Sequence, residues 1–591
     1  MENLTDMTVA KYLVLRLKEL GLTHLFGIAG NYSAPFLNTI DEDESADKIN
    51  IIGDTNEINA GHCADAYARL KGFAAVAVTY GVGAFTLLNA TAGSYVEHCP
   101  VLVINGSPTN ADQMKSIGEG LLASHMTGDM YSNINVYRHV TVAAELVMSS
   151  VDAPYKIDAV LMACLIYGRP VYLEVFEDVW RMPCEAPKHK LAINGYRSCT
   201  QNAVEAAKKT VELIKEFGAP IFWAGEEIQR KGLQEEFLKL VEETKIEFTT
   251  SIMGKSVVSE SNRYFRGVFN GNASPKDVQE RFKKAGVKIG LGAWTTGKNL
   301  GGFNIWGEHT VLANHSSVRI GAQFEPNVSL GDFMSELRRQ LKDVAYKPHH
   351  MYDSSQKVAD ATFVVEPRKK DADLPITYDS FFGRMNQFIT TDHVVVSDSG
   401  FSLLGAQGLR IKEANGFVAQ ASWLSIGYSV PAAVGVKCAL PEKQVIVFVG
   451  DGAFQETCQA ISNQARLGHN TIVFVLDNTI YGIEQMLTNP NPFRPADRKI
   501  NYPVEHMNEV YPYNKMHQWK YAKLADVFGG KGFEVSTMNE LEDVLKKLDV
   551  KDTNFIVHVH LPEVDIPEAI AYKNDRPGED EVLNKDWSLC G

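Results

Sequence analysis

Along the chain, apolar runs of five to eight residues alternate with longer stretches of helical period. TVAKYLVLRLKELG has apolar positions spaced for one helix face and ends on Gly21; THLFGI then reads as a strand. NEINAGHCADAYARLKG predicts a second helix stopped by Gly72. FAAVAVTY is a strand, GAFTLLNATAGSYVEHC a helix and PVLVINGSP a strand. Continuous apolar strands between helices imply βαβ units and a parallel sheet covered on both faces. The rhythm lapses at 184–200 (CEAPKHKLAINGYRSCT), which reads as a linker. It resumes with the helix NAVEAAKKTVELIKEFG, the strand APIFWAG and the helix QEEFLKLVEET, and lapses again in YKPHHMYDSSQKVADATFVVEPRKKDADLP. A third block, with HVVVSDSG, SIGYSVPAAVGVKCAL, QVIVFVGDG, CQAISNQARLG and NTIVFVLDN, repeats the style of the first. The expectation is an α/β protein of three consecutive doubly wound parallel-sheet domains, at 1–188, 199–345 and 372–591.

Composition changes this picture little and excludes much. A chain of 591 residues is too long for one core. A formal net charge of −14 argues against nucleic acid or an acidic membrane surface as a partner. The eight cysteines (63, 99, 164, 184, 199, 438, 458, 590) show no CxxC spacing, so neither a zinc site nor a disulfide framework is expected, and a reducing compartment is. The start MENLTDMTVAKYLVLRL carries charges through its first apolar stretch, unlike a signal peptide, and no run has the length of a membrane span. A cytoplasmic protein is expected.

Candidate chemistry lies where two strand-like runs stop. VFVGDGAFQE ends its apolar run on Gly-Asp-Gly; 27 positions after Asp451, NTIVFVLDNTIYGIEQ stops on Asp477-Asn478. Either stop alone is an ordinary turn. Together, as neighbouring strands of a parallel sheet joined by the helix QETCQAISNQARLG, they bring their carboxyl ends to one crevice. Asp451, the Asn478 amide oxygen and a backbone carbonyl of the following turn, at Ile480, are hard oxygen ligands suited to magnesium, with diphosphate oxygens and water completing the shell. Gly452 lets an anion approach the backbone. A near match to the phosphate-binding GxxxxGK[ST] loop, GAWTTGKN at 292–299, has Asn299 in place of the hydroxyl residue and reads as a surface loop.

Gly-Asp-Gly followed at this spacing by Asn resembles the thiamine diphosphate fingerprint. FGIAGNYSAPFL, NEINAGHCADAYARLKG, TYGVGAFTLLNATAGSYVEHCPVLVINGSP, VVVSDSGFSLLG, WLSIGYS, VGDGAFQ and LDNTIYGIEQ carry a resemblance to the pyruvate and indolepyruvate decarboxylases over nearly the whole chain. The resemblance implies pyrimidine-binding, middle and diphosphate-binding domains in that order. It assigns Ser399 to the diphosphate, Ile426 to the wedge that bends the cofactor, and the Leu424 carbonyl to its amino group. Ala453 stands where relatives carry Ser or Thr. Glu57 is the expected proton relay to the pyrimidine, a buried carboxyl with a raised pKa. Glu484 is expected over the reacting carbon. Such sites form between the first domain of one subunit and the third of another, so at least a dimer, and a tetramer as the family assembly, is implied.

The chain also departs from its relatives. Asn31 replaces the Asp that follows FG-x-x-G, and LLASHMTGDM, where relatives carry a His-His pair before a Gly-Asp turn, holds one histidine, His125, which falls on neither position without a gap and on the second with a gap of about two residues. Asn cannot exchange a proton as Asp can. Slower protonation of the enamine favours its attack on a second carbonyl compound. Three readings therefore stand: a 2-oxo acid decarboxylase releasing aldehyde, a decarboxylating carboligase giving an acyloin, and a silent cofactor-binding protein. Retention of Glu57 and Glu484 speaks against the last. The segment at 488–520 is longer than its counterpart in relatives and reads as a lid whose His506 or His517 replaces the lost donors. Ile483, Leu487 and this insert are expected to set pocket size.

Overall fold

The structure, a computed structural model, describes residues 7–191, 198–342, 344–346, 374–494, 499, 508–548, 550 and 552–570. They pack as two units: the residues up to 195 with 428–442 and 457–469, and the remainder.

The first unit holds six strands, β1 (His24–Gly27), β2 (Asn50–Gly53), β3 (Ala74–Thr79), β4 (Val101–Ser107), β5 (Ala144–Val147) and β6 (Val171–Phe176), in the order β2-β1-β3-β4-β6-β5. All neighbours run parallel. Strands β3, β4 and β6 are buried on both faces because helices cover both, which is why their sequences do not alternate. The predicted helix Glu57–Lys71 forms as read: the Asn56 side chain accepts from the Asn59 N–H at its start, and Gly72, at φ +83°, ends it. Helix Ser429–Ala439 crosses it so closely that a Cβ on Gly435 would lie 2.0 Å from the Cys63 carbonyl oxygen. Here glycine is a packing requirement. Around the crossing, Asp65 receives Arg69 Nε at 2.7 Å, Tyr428 OH at 2.8 Å and Ser94 Oγ at 2.9 Å, so its buried charge is compensated.

The second unit holds two sheets. The first comprises β7 (Pro220–Ala224), β8 (Phe248–Thr250), β9 (Phe265–Val268), β10 (Val287–Leu291), β11 (Thr310–Asn314), β12 (Ser317–Ile320) and β13 (Gln323–Pro326), ordered β13-β12-β11-β10-β7-β8-β9. Its β11–β12 and β12–β13 pairs are antiparallel and the rest parallel. The other comprises β14 (His393–Ser397), β15 (Phe417–Ala419), β16 (Gln444–Gly450), β17 (Ile472–Asp477), β18 (Lys531–Val535) and β19 (Phe555–His560). Its order, β15-β14-β16-β17-β19-β18, repeats that of the first unit's sheet strand for strand. The similarity of the first and third sequence blocks is thus a shared topology.

Two expectations need correction. GAWTTGKN is not a surface loop: Trp294 is buried, and the fully buried Asn299 amide donates to Glu226 Oε1 (3.2 Å) and the Trp294 carbonyl (2.9 Å). A hydroxyl there could not make both bonds. The helix after Asp451 is not continuous either; Asp451–Thr457 and Ala460–Arg466 are separate helices, and Asp451 is the first residue of its helix, not part of a preceding turn. The linker reading of 347–373 lies outside the described residues, as does part of that at 184–200.

Candidate active site

In the first unit the candidates gather at the carboxyl end of the sheet. Asn31, exposed, begins the short turn Asn31–Ser33 after β1. Tyr32 beside it is buried against Tyr80 and Met126, and its hydroxyl donates to the Ser124 carbonyl at 3.0 Å. This holds the next residue, His125, edge-on to the Tyr32 ring at a centroid distance of 6.4 Å and with φ at +69°. A Cβ on Gly81 would lie 2.4 Å from the His125 carbonyl oxygen, and one on Gly83 would lie 3.3 Å from Glu57 Oε1. The chain after β3, where Gly81 leads into helix Val82–Val96, therefore has His125 on one side and Glu57 on the other, and Gly81 and Gly83 make room for both. Glu57 opens its helix, where the helix dipole favours a carboxylate. It is half-buried, not buried as expected.

In the second unit, β16 and β17 are parallel neighbours, with Gly450 opposite Leu476. Asp451 and Asn478 thus leave the same edge of the sheet, as their spacing predicted. Asp451 is 3 % exposed; its Oδ1 accepts from the Gly452 N–H (2.9 Å) and its Oδ2 from the Thr479 N–H (2.9 Å). Asp477 Oδ1 shares that Thr479 N–H at 3.0 Å. Two carboxylates thus meet on one amide in a buried site. Burial and Asp477 push the Asp451 carboxyl well above its ordinary range. Burial also raises Asp477, but hydrogen bonds from His558 and Gln518, both 2.7 Å from Oδ2, outweigh it and keep it ionised.

Asn478 is 2 % exposed and its amide nitrogen has no partner in the protein. Thr479 takes φ +66°, and the buried Ile480 turns its carbonyl to the Gly482 N–H at 2.8 Å. The side of Gly452 on which a Cβ would sit is filled by the Tyr481 ring (2.4 Å) and Met516 Sδ (2.8 Å), whereas Gly450 meets nothing within 4 Å. The glycine that leaves open space at this strand end is Gly450, because Gly452 is spent on packing the 479–482 turn. Ala453 is buried in the first helical turn.

Ser399 Oγ donates to the Leu424 carbonyl at 3.1 Å, and Leu424 takes φ +62°. Asp398, fully buried, accepts on Oδ1 from the Ser399 (3.0 Å) and Gly427 (3.1 Å) amides and so ties the 424–427 loop to the end of β14. Ile426 is half-buried on that loop. Glu484 is exposed in the first turn of helix Gly482–Thr488, while Ile483 beside it packs toward Gly400.

Sequence reasoning missed Asp398, Asp477, Gln518 and His558. The polar positions His558 and His560 in the otherwise apolar strand FIVHVH were the available signal for the last. Of the proposed lid, His506 lies outside the described residues. His517 is exposed, and its backbone carbonyl accepts from Gln455 Nε2 at 3.1 Å. Residues 511–516 are fastened to the candidate metal turn: the Asn514 carbonyl accepts from the Tyr481 N–H (2.9 Å), and Gln485 Oε1 accepts from the Tyr511 N–H (2.8 Å) and Asn514 Nδ2 (2.9 Å).

Three family models match successive parts of the chain: the N-terminal thiamine pyrophosphate binding domain at 7–130, the central domain at 207–341 and the C-terminal binding domain at 398–559. An alpha-keto-acid decarboxylase of Mycobacterium tuberculosis is 30 % identical over 568 residues, covering 95 % of this chain and 96 % of that protein. The chain belongs to the thiamine-diphosphate-dependent 2-oxo acid decarboxylases. Pyruvate decarboxylases of Candida albicans and Kluyveromyces marxianus are each 28 % identical, over 95 % and 96 % of this chain and 97 % of theirs. The three sheets correspond to the three matched domains of this decarboxylase family, and its cofactor is thiamine diphosphate. No helix among the described residues is long and apolar enough to cross a membrane.

Proposed function

We propose that the protein carries out magnesium-dependent, non-oxidative decarboxylation of a 2-oxo acid, pyruvate or larger, to an aldehyde. The observation that carries the reading is the meeting of Asp451 and Asn478 at the ends of adjacent parallel strands. There a buried carboxylate crowded by a second one, with the buried Asn478 amide beside it to offer its oxygen, suits a hard divalent cation. Thiamine diphosphate supplies the electron sink for loss of carbon dioxide. In this reading Asp451, Asn478 and the Ile480 carbonyl hold the metal. Gly452, Ala453 and Ser399 border the diphosphate, Leu424 and Ile426 shape the cofactor's bend, and Glu57 exchanges a proton with the pyrimidine. Glu484, His125 and Asn31 border the substrate.

Glu57 and Asp451 belong to different matched domains, and the reading pairs them across two subunits. The active species is then a dimer at least, and a tetramer is the expected assembly. The cytoplasm is the compartment that suits the unpaired cysteines.

A second reading, transfer to an aldehyde or ketone acceptor to give an acyloin, is favoured by Asn31, which cannot donate the proton that aldehyde release requires. Product analysis separates the two. Pyruvate and larger 2-oxo acids, with and without added aldehyde, are scored for free aldehyde, acyloin and carbon dioxide. Predominant aldehyde supports the first reading, predominant acyloin reverses the order, and absence of carbon dioxide from every substrate removes both.

A further inference from the structure

Decarboxylation of a 2-oxo acid anion to an aldehyde consumes a proton: RCOCOO⁻ + H⁺ → RCHO + CO₂. Neither Asn31 nor the exposed His125 at the sheet edge is a buried acid that could hold that proton in advance. The first unit contains such an acid a short way inside. Glu174 lies on β6, fully buried, in register with Asn105 of β4, which is itself in register with Val78 of β3. This row is one residue from the carboxyl end of β3, where Tyr80 and Gly81 follow.

The hydrogen bonds around Glu174 are one proton short. The Asn105 amide nitrogen is committed to the carbonyls of Val78 (3.1 Å) and Thr79 (2.8 Å), so its oxygen faces the Tyr172 hydroxyl at 3.0 Å. That hydroxyl also lies 2.7 Å from Glu174 Oε2. Asn133 Nδ2 also donates to that Asn105 oxygen, at 3.3 Å, but one phenolic proton cannot bridge both oxygen–oxygen contacts of Tyr172, whereas a carboxylic acid at Glu174 would supply the second. Tyr172 stacks at 4.1 Å on Tyr137, and no cation is among the groups acting on Glu174, which are Tyr172 and Ser107. Burial pushes its carboxyl up to about 7.

Several buried polar atoms near Glu174 make no hydrogen bond of ordinary length to the protein: Glu174 Oε1 and Ser107 Oγ, which act on one another, Asn133 Oδ1, whose amide nitrogen reaches Asn105 Oδ1 at 3.3 Å, and Ser132 Oγ, both amide atoms of Gln113 and the Tyr80 hydroxyl, which face one another. Such atoms are rare in folded proteins and ordinarily bind ordered water. Tyr80 faces Ser132 and Gln113, with the charge of Asp129 acting on it. It also packs against Tyr32 and Met126, the neighbours of Asn31 and His125.

We propose that Glu174 and this polar cluster form a buried proton store that feeds the substrate edge through Tyr80 and ordered water, doing the work an acid at position 31 would do. The role rests on the decarboxylase reading, but the store can be tested without it. Infrared titration of the substrate-free protein across neutral pH should show a carboxylic acid band that disappears near pH 7 and is missing in Glu174→Gln. An identical spectrum in the variant overturns the proposal, whatever the enzyme catalyses.

With substrate, Glu174→Gln and Tyr80→Phe should each lower aldehyde release about tenfold with KM unchanged. The product should shift toward acyloin, the alkaline limb of the kcat profile should be lost, and Glu174→Asp should restore part of the rate. Unchanged aldehyde release and an unchanged pH profile in both variants would sink the store's catalytic role. The variant's fold is checked by thermal unfolding. A carboxyl with a raised folded pKa stabilises below its unfolded value and loses that contribution as pH rises through the folded one, so Glu174→Gln should gain melting temperature over the native protein on the alkaline side.

Discussion

Glu57 occupies the first position of its helix, half-buried, with one oxygen close enough to Gly83 that a side chain there would touch it. Glu57→Gln keeps the shape and removes the exchangeable proton. Turnover should fall by about 10²–10⁴, while thiamine diphosphate still binds, as read by quenching of intrinsic fluorescence. Unimpaired turnover would take the proton relay away from this residue. His62, five positions on, is a different kind of polar residue. It is fully buried, neither ring nitrogen has a partner, and its ring meets Tyr428 edge-on at 5.2 Å. Burial lowers its pKa from 6.5 to about 4. Its neutral form is thus the folded form: stability is complete above about 6.5 and falls as pH drops through about 4, by about 3 kcal/mol from that shift. His62→Phe should flatten the fall of melting temperature over that interval, and an equally steep fall in the variant would assign acid sensitivity elsewhere.

Elements place these residues through a few close approaches. Helix Ser429–Ala439 reaches helix Glu57–Lys71 only because Gly435 has no side chain. Gly435→Ala must push the helices apart, at about 1–3 kcal/mol, and carries Glu57 with it. A lower melting temperature together with weaker cofactor-dependent turnover is expected; loss of stability alone would separate the crossing from the site. The strand elements were easier to anticipate than the helix after Asp451. Both strand runs are long, apolar and rich in β-branched residues, so length and composition settle their type. The break at Cys458–Gln459 has no Gly or Pro to announce it. The burial of Asn299 was equally hidden, because its partner Glu226 stands 73 positions earlier in the chain.

For the whole molecule, the decisive prediction concerns which chains share a site. If Glu57 and Asp451 of separate subunits complete one centre, inactive Glu57→Gln and Asp451→Asn proteins should rescue each other. After subunit exchange in equal amounts, half the dimers are mixed and each holds one intact centre, giving about a quarter of native activity. No recovery, with exchange verified by labelled subunits, would place both residues of a site in one chain. The repeated strand order of the first and third sheets suits such an arrangement, since two similar lobes present similar carboxyl-edge crevices.

By itself the sequence determined the α/β class, three successive sheets, the pairing of Asp451 with Asn478, and the family. The first three follow from local apolar runs, glycine and helix signals, and spacing across one βαβ unit, and the family from the resemblance of whole motifs, all carried by residues near one another in the chain. Only the tertiary structure decided that Asp477 is held by His558 and Gln518, that Gly452 is used for packing while Gly450 stays open, and that Glu174 is fully buried with the Tyr172 hydroxyl on one oxygen. Burial and hydrogen bonding depend on strands and helices that meet from distant parts of the chain, and no local pattern encodes what a side chain will find on the far side of a sheet.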